Sequence, residues 1–254
     1  ILIGLVGSEM CIRDRDCLRH YEILACNCIP LFKDLDKCPE KILFNFPKQL
    51  LMYVMKNKDF LSEEEYKIIQ EKLHNYTKKH LTCEASANYF LNIITKNTII
   101  PKCRILMINN NLMINENWAN YSQYMLTIGL RNVLGSNFVD FPKNKVLYKG
   151  HNRQNLYGNG FTYSNILDDI PINRENISQQ IKNKEFDFII YGLMGKSEKI
   201  CGDIRLKTPL WREVSSFYNK DQIIFLYGGD VTLDKQHSIH SVSYTHLRAH
   251  ETNQ

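Results

Sequence analysis

The sequence predicts an α/β protein: a Rossmann-like open parallel sheet preceded by a helix-rich segment. Three observations lead there. Apolar, β-branched and aromatic runs at 104–108, 186–191 and 223–227 read as strands buried on both faces. Helical periodicity stands between strand candidates after residue 102, an alternation that favours a parallel sheet with covering helices. Hydrophobic residues make up 44% of the 254-residue chain and charged residues 23%, enough apolar material for a packed core.

Taken in order, residues 16–27 place Leu18, Tyr21, Ile23, Leu24 and Ala25 at helical spacing, and run into a short buried strand at 28–32. Residues 47–57 read as a helix with Leu50, Leu51, Val54 and Met55 inward. Ser62 followed by Glu65 has the capping-box pattern and opens a charged amphipathic helix to about Lys79. A further helix over 82–95 carries Tyr89, Phe90, Ile93 and Ile94, after which Asn97 and Pro101 punctuate the chain. The second part begins with the strand at 104–108. A long helix over 118–134 follows, with Gly135 placed to end it in a left-handed conformation. Short strands at 138–140, 186–191 and 223–227 complete the sheet. The expected division is therefore a helix-rich segment at 16–101 and a Rossmann-like domain at 102–236.

Composition narrows the function classes. The net charge of +5 is spread along the chain and concentrates in no stripe, which argues against nucleic acid as a partner. Eight cysteines would suit a disulfide scaffold, but Cys26, Cys28, Cys83 and Cys103 sit in apolar periodic stretches, as small buried thiols of a reducing, cytoplasmic compartment do. Cys26 and Cys28 are too close in sequence for a zinc pair, so no metal is expected. No run approaches the roughly 18–20 apolar residues that span a bilayer.

The strand candidates end in small or polar residues: Asn109, Gly192, and Gly228-Gly229-Asp230. In open α/β sheets ligands bind beyond the carboxyl ends of strands, where such residues let them approach. Turns need the same residue types on steric grounds alone, so the pattern leaves both readings open. Gly158 and Gly160 lie between no strand and helix of the kind a dinucleotide fingerprint requires, and are expected in a loop that approaches a ligand closely.

One stretch adds a resemblance. Arg19, then Glu22, then Asn27 and the run Cys28-Ile29-Pro30 resemble the donor-binding motif of glycosyltransferases built from two facing Rossmann domains (the GT-B class), most closely the exostosin-like pattern of an arginine, an acid and Gly-Cys-Ile-Pro. Asn27 stands where that pattern has glycine, and asparagine is the next best residue at a left-handed position. The resemblance implies a nucleotide-sugar as substrate, with no separate cofactor, and an acceptor hydroxyl of unknown kind. It implies that Glu22 binds the ribose hydroxyls and that a base near the helix start, here Arg19, meets the diphosphate. Spaced three apart, the two share one helix face, though a plain surface pair would show the same spacing. Looser likenesses to the same class lie at 129–135, 157–163 and 186–192.

A transferase needs a general base for the acceptor proton, and Asp230 or Asp140 are the candidates, although either also suits a turn. In two-domain glycosyltransferases the donor motif lies in the C-terminal half, whereas here it precedes the Rossmann-like segment. Residues 5–15 and 241–252 resemble translated sequencing-adapter sequence. Residues 1–15 and most of 237–254 are therefore expected to be non-native, and the chain to be a fragment. The alternatives are a non-catalytic nucleotide- or partner-binding α/β module, an inactive fragment, and an interaction protein that docks through the charged helix over 62–79.

Overall fold

The computed structural model describes residues 18–32, 34–38, 43, 45–96, 103–109, 121–152, 163–194 and 208–227. They fall into two compact units that divide between Ala85 and Ser86, earlier in the chain than Pro101.

The first unit is helical. α1 (Leu18–Ala25), α2 (Lys48–Asn57) and α3 (Glu63–His80) enclose Leu24, Ile29, Leu35, Leu43, Phe46, Leu51, Val54, Ile69 and Leu73. Each fully buried aliphatic side chain contributes about 1.5–3 kcal/mol, so this cluster is what holds three otherwise marginal helices together. The capping box is present: the Ser62 hydroxyl accepts from the Glu65 N–H at 3.2 Å, and the Ser62 N–H donates to the Glu65 carboxylate at 2.9 Å. Residues 28–32 form no strand. Pro30 offers no N–H to a ladder, and Ile29 and Pro30 bury as an irregular segment. Cys26 is exposed, against expectation, because the turn that ends α1 turns it away from the core. Cys103 is buried, Cys28 and Cys83 partly so, and burial pushes the Cys83 and Cys103 thiols up to about 12.

α4 (Cys83–Ile94) straddles the division and buries Ala87, Phe90 and Ile94. The second unit is built on a four-stranded parallel sheet: β1 (Ile105–Ile108), β2 (Phe138–Phe141), β3 (Phe188–Met194) and β4 (Ile223–Tyr227), in the order β2-β1-β3-β4. The open, all-parallel sheet with its helices is Rossmann-like, as the strand–helix alternation predicts. α5 (Tyr121–Leu134) connects β1 to β2, α6 (Ile177–Lys182) lies between β2 and β3, and α7 (Trp211–Phe217) between β3 and β4.

Alternation along the strands sends neighbours to opposite faces. Leu106, Ile108, Ile189, Tyr191, Ile223 and Phe225 pack with Ile177 and Ile181 of α6 and Val214 of α7. On the other face Met107 meets Thr127 of α5, whose hydroxyl lies 3.2 Å from the methionine sulfur. α5 is buried on most of its circumference over residues 123–131. It ends where the sequence places its stop: Gly135 takes φ +57, and Arg131 Nη1 donates to the Gly135 carbonyl at 2.8 Å.

Tyr191 is stacked on Phe225 at 5.0 Å between ring centres and lies 6.0 Å from Trp211. Its hydroxyl is buried and has no hydrogen-bond partner, and burial, with Glu213 adding, raises its pKa far above the usual tyrosine range. An unsatisfied buried hydroxyl destabilises. Tyr191→Phe is therefore expected to raise the unfolding free energy by about 1 kcal/mol in thermal or urea melts. A variant that melts well below the wild type would mean that the hydroxyl has a partner after all.

Candidate functional site

The strand order places a topological switch point between β1 and β3, since the chain leaves β1 toward β2 on one side and β3 toward β4 on the other. Such a fork leaves a crevice beyond the carboxyl ends of the two strands, the usual ligand position in open α/β sheets. Ile108 pairs with Tyr191, which sets Asn109, just past β1, level with Gly192; Gly192 is not the end of its strand as the sequence suggests, because β3 runs on to Met194. Gln123, in the first turn of α5, joins them. Its Nε2 donates to Asn109 Oδ1 at 2.5 Å, and Asn109 Nδ2 donates to the Pro142 carbonyl at 2.6 Å. Gly192 is glycine for a steric reason. A Cβ there would stand 2.7–2.9 Å from the Gln123 amide, so the missing side chain is the space in which Gln123 lies. Gly158, Gly160, Gly228, Gly229 and Asp230 lie outside the described residues.

Asp140, at the carboxyl end of β2, is fully buried. Its Oδ1 accepts from Arg174 Nη2 at 2.6 Å, the Tyr148 hydroxyl at 2.8 Å and Arg131 Nη2 at 2.9 Å, while Oδ2 accepts from the Asn144 N–H at 3.1 Å. Burial, with Asp140 adding, pushes the Tyr148 hydroxyl up to about 12. A carboxylate shared by two guanidiniums and closed off from solvent is poorly placed to take a proton from an acceptor. Its geometry is that of an ionic anchor: Arg131 ties α5 to β2, and Arg174, whose Nε donates to the Asp140 carbonyl at 2.9 Å, ties in the segment before α6.

In the first unit Arg19 is exposed and Glu22 partly buried on α1. Asn27 adopts φ +57; its N–H donates to the Leu24 carbonyl at 3.1 Å, and the Cys28 N–H to the Ile23 carbonyl at 2.9 Å. These paired bonds make a Schellman turn, the geometry that glycine at this position would provide. Gln70 of α3 hydrogen-bonds the Asn27 carbonyl, and Pro30 is buried beyond the turn. The motif is thus a helix face followed by a braced reversal.

His20 sits between Arg19 and the core. Its ring lies 4.6 Å from Phe32, and Nδ1 is buried without a hydrogen-bond partner. Burial, with the Arg19 charge adding, lowers its pKa from 6.5 to about 4. A folded-state pKa below the unfolded one means stability fully present above pH 6.5 and lost as pH falls toward 4. Allowing for partial solvent contact, the loss is on the order of 2 kcal/mol. His20→Leu is expected to shrink the difference between melts at pH 7 and pH 4.5; an unchanged difference would clear His20 of any part in it.

Sequence reasoning missed Gln123, Arg131, Lys143, Tyr148 and Arg174. Gln123 carried a signal, an amide amid the apolar positions of a helix that periodicity places against the sheet; the others carried none, because only the fold gathers them at β2. Comparison of the chain with protein-family models, with curated proteins and with solved structures finds no match.

Proposed function

We propose that this protein binds a nucleotide-sugar through α1 and its closing turn, and that it is a glycosyltransferase-like protein acting on a hydroxyl acceptor. The observation that carries the reading is the left-handed Asn27 between Glu22 and the buried Pro30, which gives the donor-like motif the reversal it requires. In this reading Glu22 accepts hydrogen bonds from the ribose hydroxyls. Arg19, three residues before it, donates paired, charge-assisted bonds to the diphosphate. The switch point between β1 and β3, beside Asn109, is the place where an open α/β sheet would take a small molecule in the second unit. No described helix is long and apolar enough to cross a membrane.

A binding module without transfer is the second reading, and the state of Asp140 favours it: the described candidate base is committed to Arg131 and Arg174. Two measurements separate the readings. A thermal-shift screen against UDP-, GDP- and CMP-sugars is expected to show one nucleotide stabilising the protein, by about 2.7 kcal/mol at a hundred times its dissociation constant. Glu22→Ala is expected to abolish that shift, and a folded protein that responds to none of the three would remove the donor-site reading. Release of free nucleotide from the stabilising sugar in the presence of hydroxyl acceptors then marks transfer, and binding without release marks the module.

A further inference from the structure

The carboxyl end of β2 gathers more positive charge than it neutralises. Lys143 follows Pro142, the residue whose carbonyl Asn109 holds at the switch point, and Arg174 hydrogen-bonds the Asp140 carbonyl of the same strand end. Lys143 Nζ lies 4.4 Å from the centre of the Tyr148 ring, and Arg174 Cζ lies 5.8 Å from it. With Arg131 this makes three cations against two carboxylates, Asp140 and Asp169. The two acids differ in kind. Asp140 is enclosed, whereas the Asp169 side chain is 57% exposed and joined to Lys143 Nζ at 2.6 Å. The hydrogen bond from Lys143 holds the Asp169 carboxyl below the usual range despite some desolvation, and the charges of Lys143, Arg174 and Arg131 act in the same direction. Arg174 uses Nε and Nη2 within the network, and its Nη1 has no hydrogen-bond partner among the described residues.

We propose that Lys143 and Arg174 form a phosphate-binding subsite at the carboxyl end of β2, and that the Asp169 carboxylate is a stand-in which a phosphoryl group of a small-molecule ligand displaces. Position, charge and chemistry agree. The subsite adjoins the edge at which open α/β sheets take their ligands. With Asp169 swung out, three cations face one carboxylate, a net charge of +2 that matches a phosphate dianion. A guanidinium and an ammonium that both border the Tyr148 ring supply directed and point-charge contacts to phosphate oxygens. An exposed carboxylate held through a single ammonium gives way readily, because solvent takes over its charge. The subsite needs neither Arg19 nor Glu22, so it stands or falls apart from the donor-site reading.

The test is calorimetric titration of the full chain with inorganic phosphate and pyrophosphate at low salt. It compares the wild type with Asp169→Asn, Lys143→Gln and Asp168→Asn, melting curves confirming that each is folded. Asp168 pairs with Lys149 at 2.6 Å and serves as the control for general charge. Asp169→Asn is expected to tighten phosphate binding on the order of tenfold, since it removes the competing charge from direct contact with Lys143. Lys143→Gln is expected to weaken binding by a similar factor, and Asp168→Asn to leave it near the wild type. Equal tightening by both aspartate substitutions would reduce the effect to overall charge and overturn the proposal. So would phosphate affinity that Asp169→Asn leaves unchanged, or no phosphate binding in either the wild type or Asp169→Asn. Should Lys143→Gln fail to fold, the two aspartate variants decide by themselves.

Discussion

Asp140→Ala is expected to cost the sheet unit about 3–5 kcal/mol, because it leaves two guanidiniums at a buried site without their shared carboxylate. Arg131 is 4% exposed at its side chain and Arg174 17%, so water can do little to replace the lost oxygens. Arg131 Nε is already buried without a partner, which deepens the penalty. Asp140→Asn should cost less, since an amide oxygen still accepts from Arg174 and Tyr148 although the charge is gone. Urea unfolding followed by a probe within residues 86–244 reads the effect, because the other unit need not unfold with it. An Asp140→Ala protein within 1 kcal/mol of the wild type, on the order of an exposed pair, would refute the anchor and return Asp140 to the list of candidate bases. The opposite outcome leaves any acid–base chemistry to other residues.

Gly192→Val is expected to be the most disruptive single change at the switch point. Its Cβ alone would fall 2.7 Å from Gln123 Nε2, inside the separation that real atoms keep. Gln123 must then leave Asn109, and a buried amide oxygen loses its donor. Overpacking and the broken hydrogen bond each cost about 1–3 kcal/mol. A double-mutant cycle identifies the cause. With Gln123 shortened to alanine the valine has room, so the pair should cost clearly less than the sum of the two single variants. Strict additivity would mean that Gly192 is required for something other than Gln123. The same variants report on function: if the crevice at β1 and β3 takes a ligand, Gly192→Val should weaken it more than its stability alone explains.

Much of the second unit was legible in the sequence because its strands are short, wholly apolar and separated by helical periodicity. Residues 104–108, 186–191 and 223–227 each contain or overlap a strand that pairs in parallel. The short helices α6 and α7 escaped notice because six or seven residues make fewer than two turns, too short a window for helical periodicity to stand out from a loop. In the first unit the same reasoning took residues 28–32 for a strand: a short apolar run reads alike whether it joins a ladder or fills a corner, and the proline decided for the corner.

The sequence by itself determined the local structure. Glu65 three residues after Ser62 specifies a capping box, Gly135 ends α5, and Asn27 is a residue that tolerates the left-handed turn it occupies. It placed Asn109 at the end of β1 but took Gly192 for the end of β3, which runs on to Met194, and the space at Gly192 is filled by Gln123. Only the tertiary structure decided what the polar side chains do. Asp140, Arg131, Tyr148 and Arg174 are strangers along the chain, and nothing in their spacing says that they converge on one carboxylate. The physical reason is range. Caps, turns and periodicity act through neighbouring backbone, whereas a buried charge finds its partners only after the β2-β1-β3-β4 order has brought distant segments to one edge.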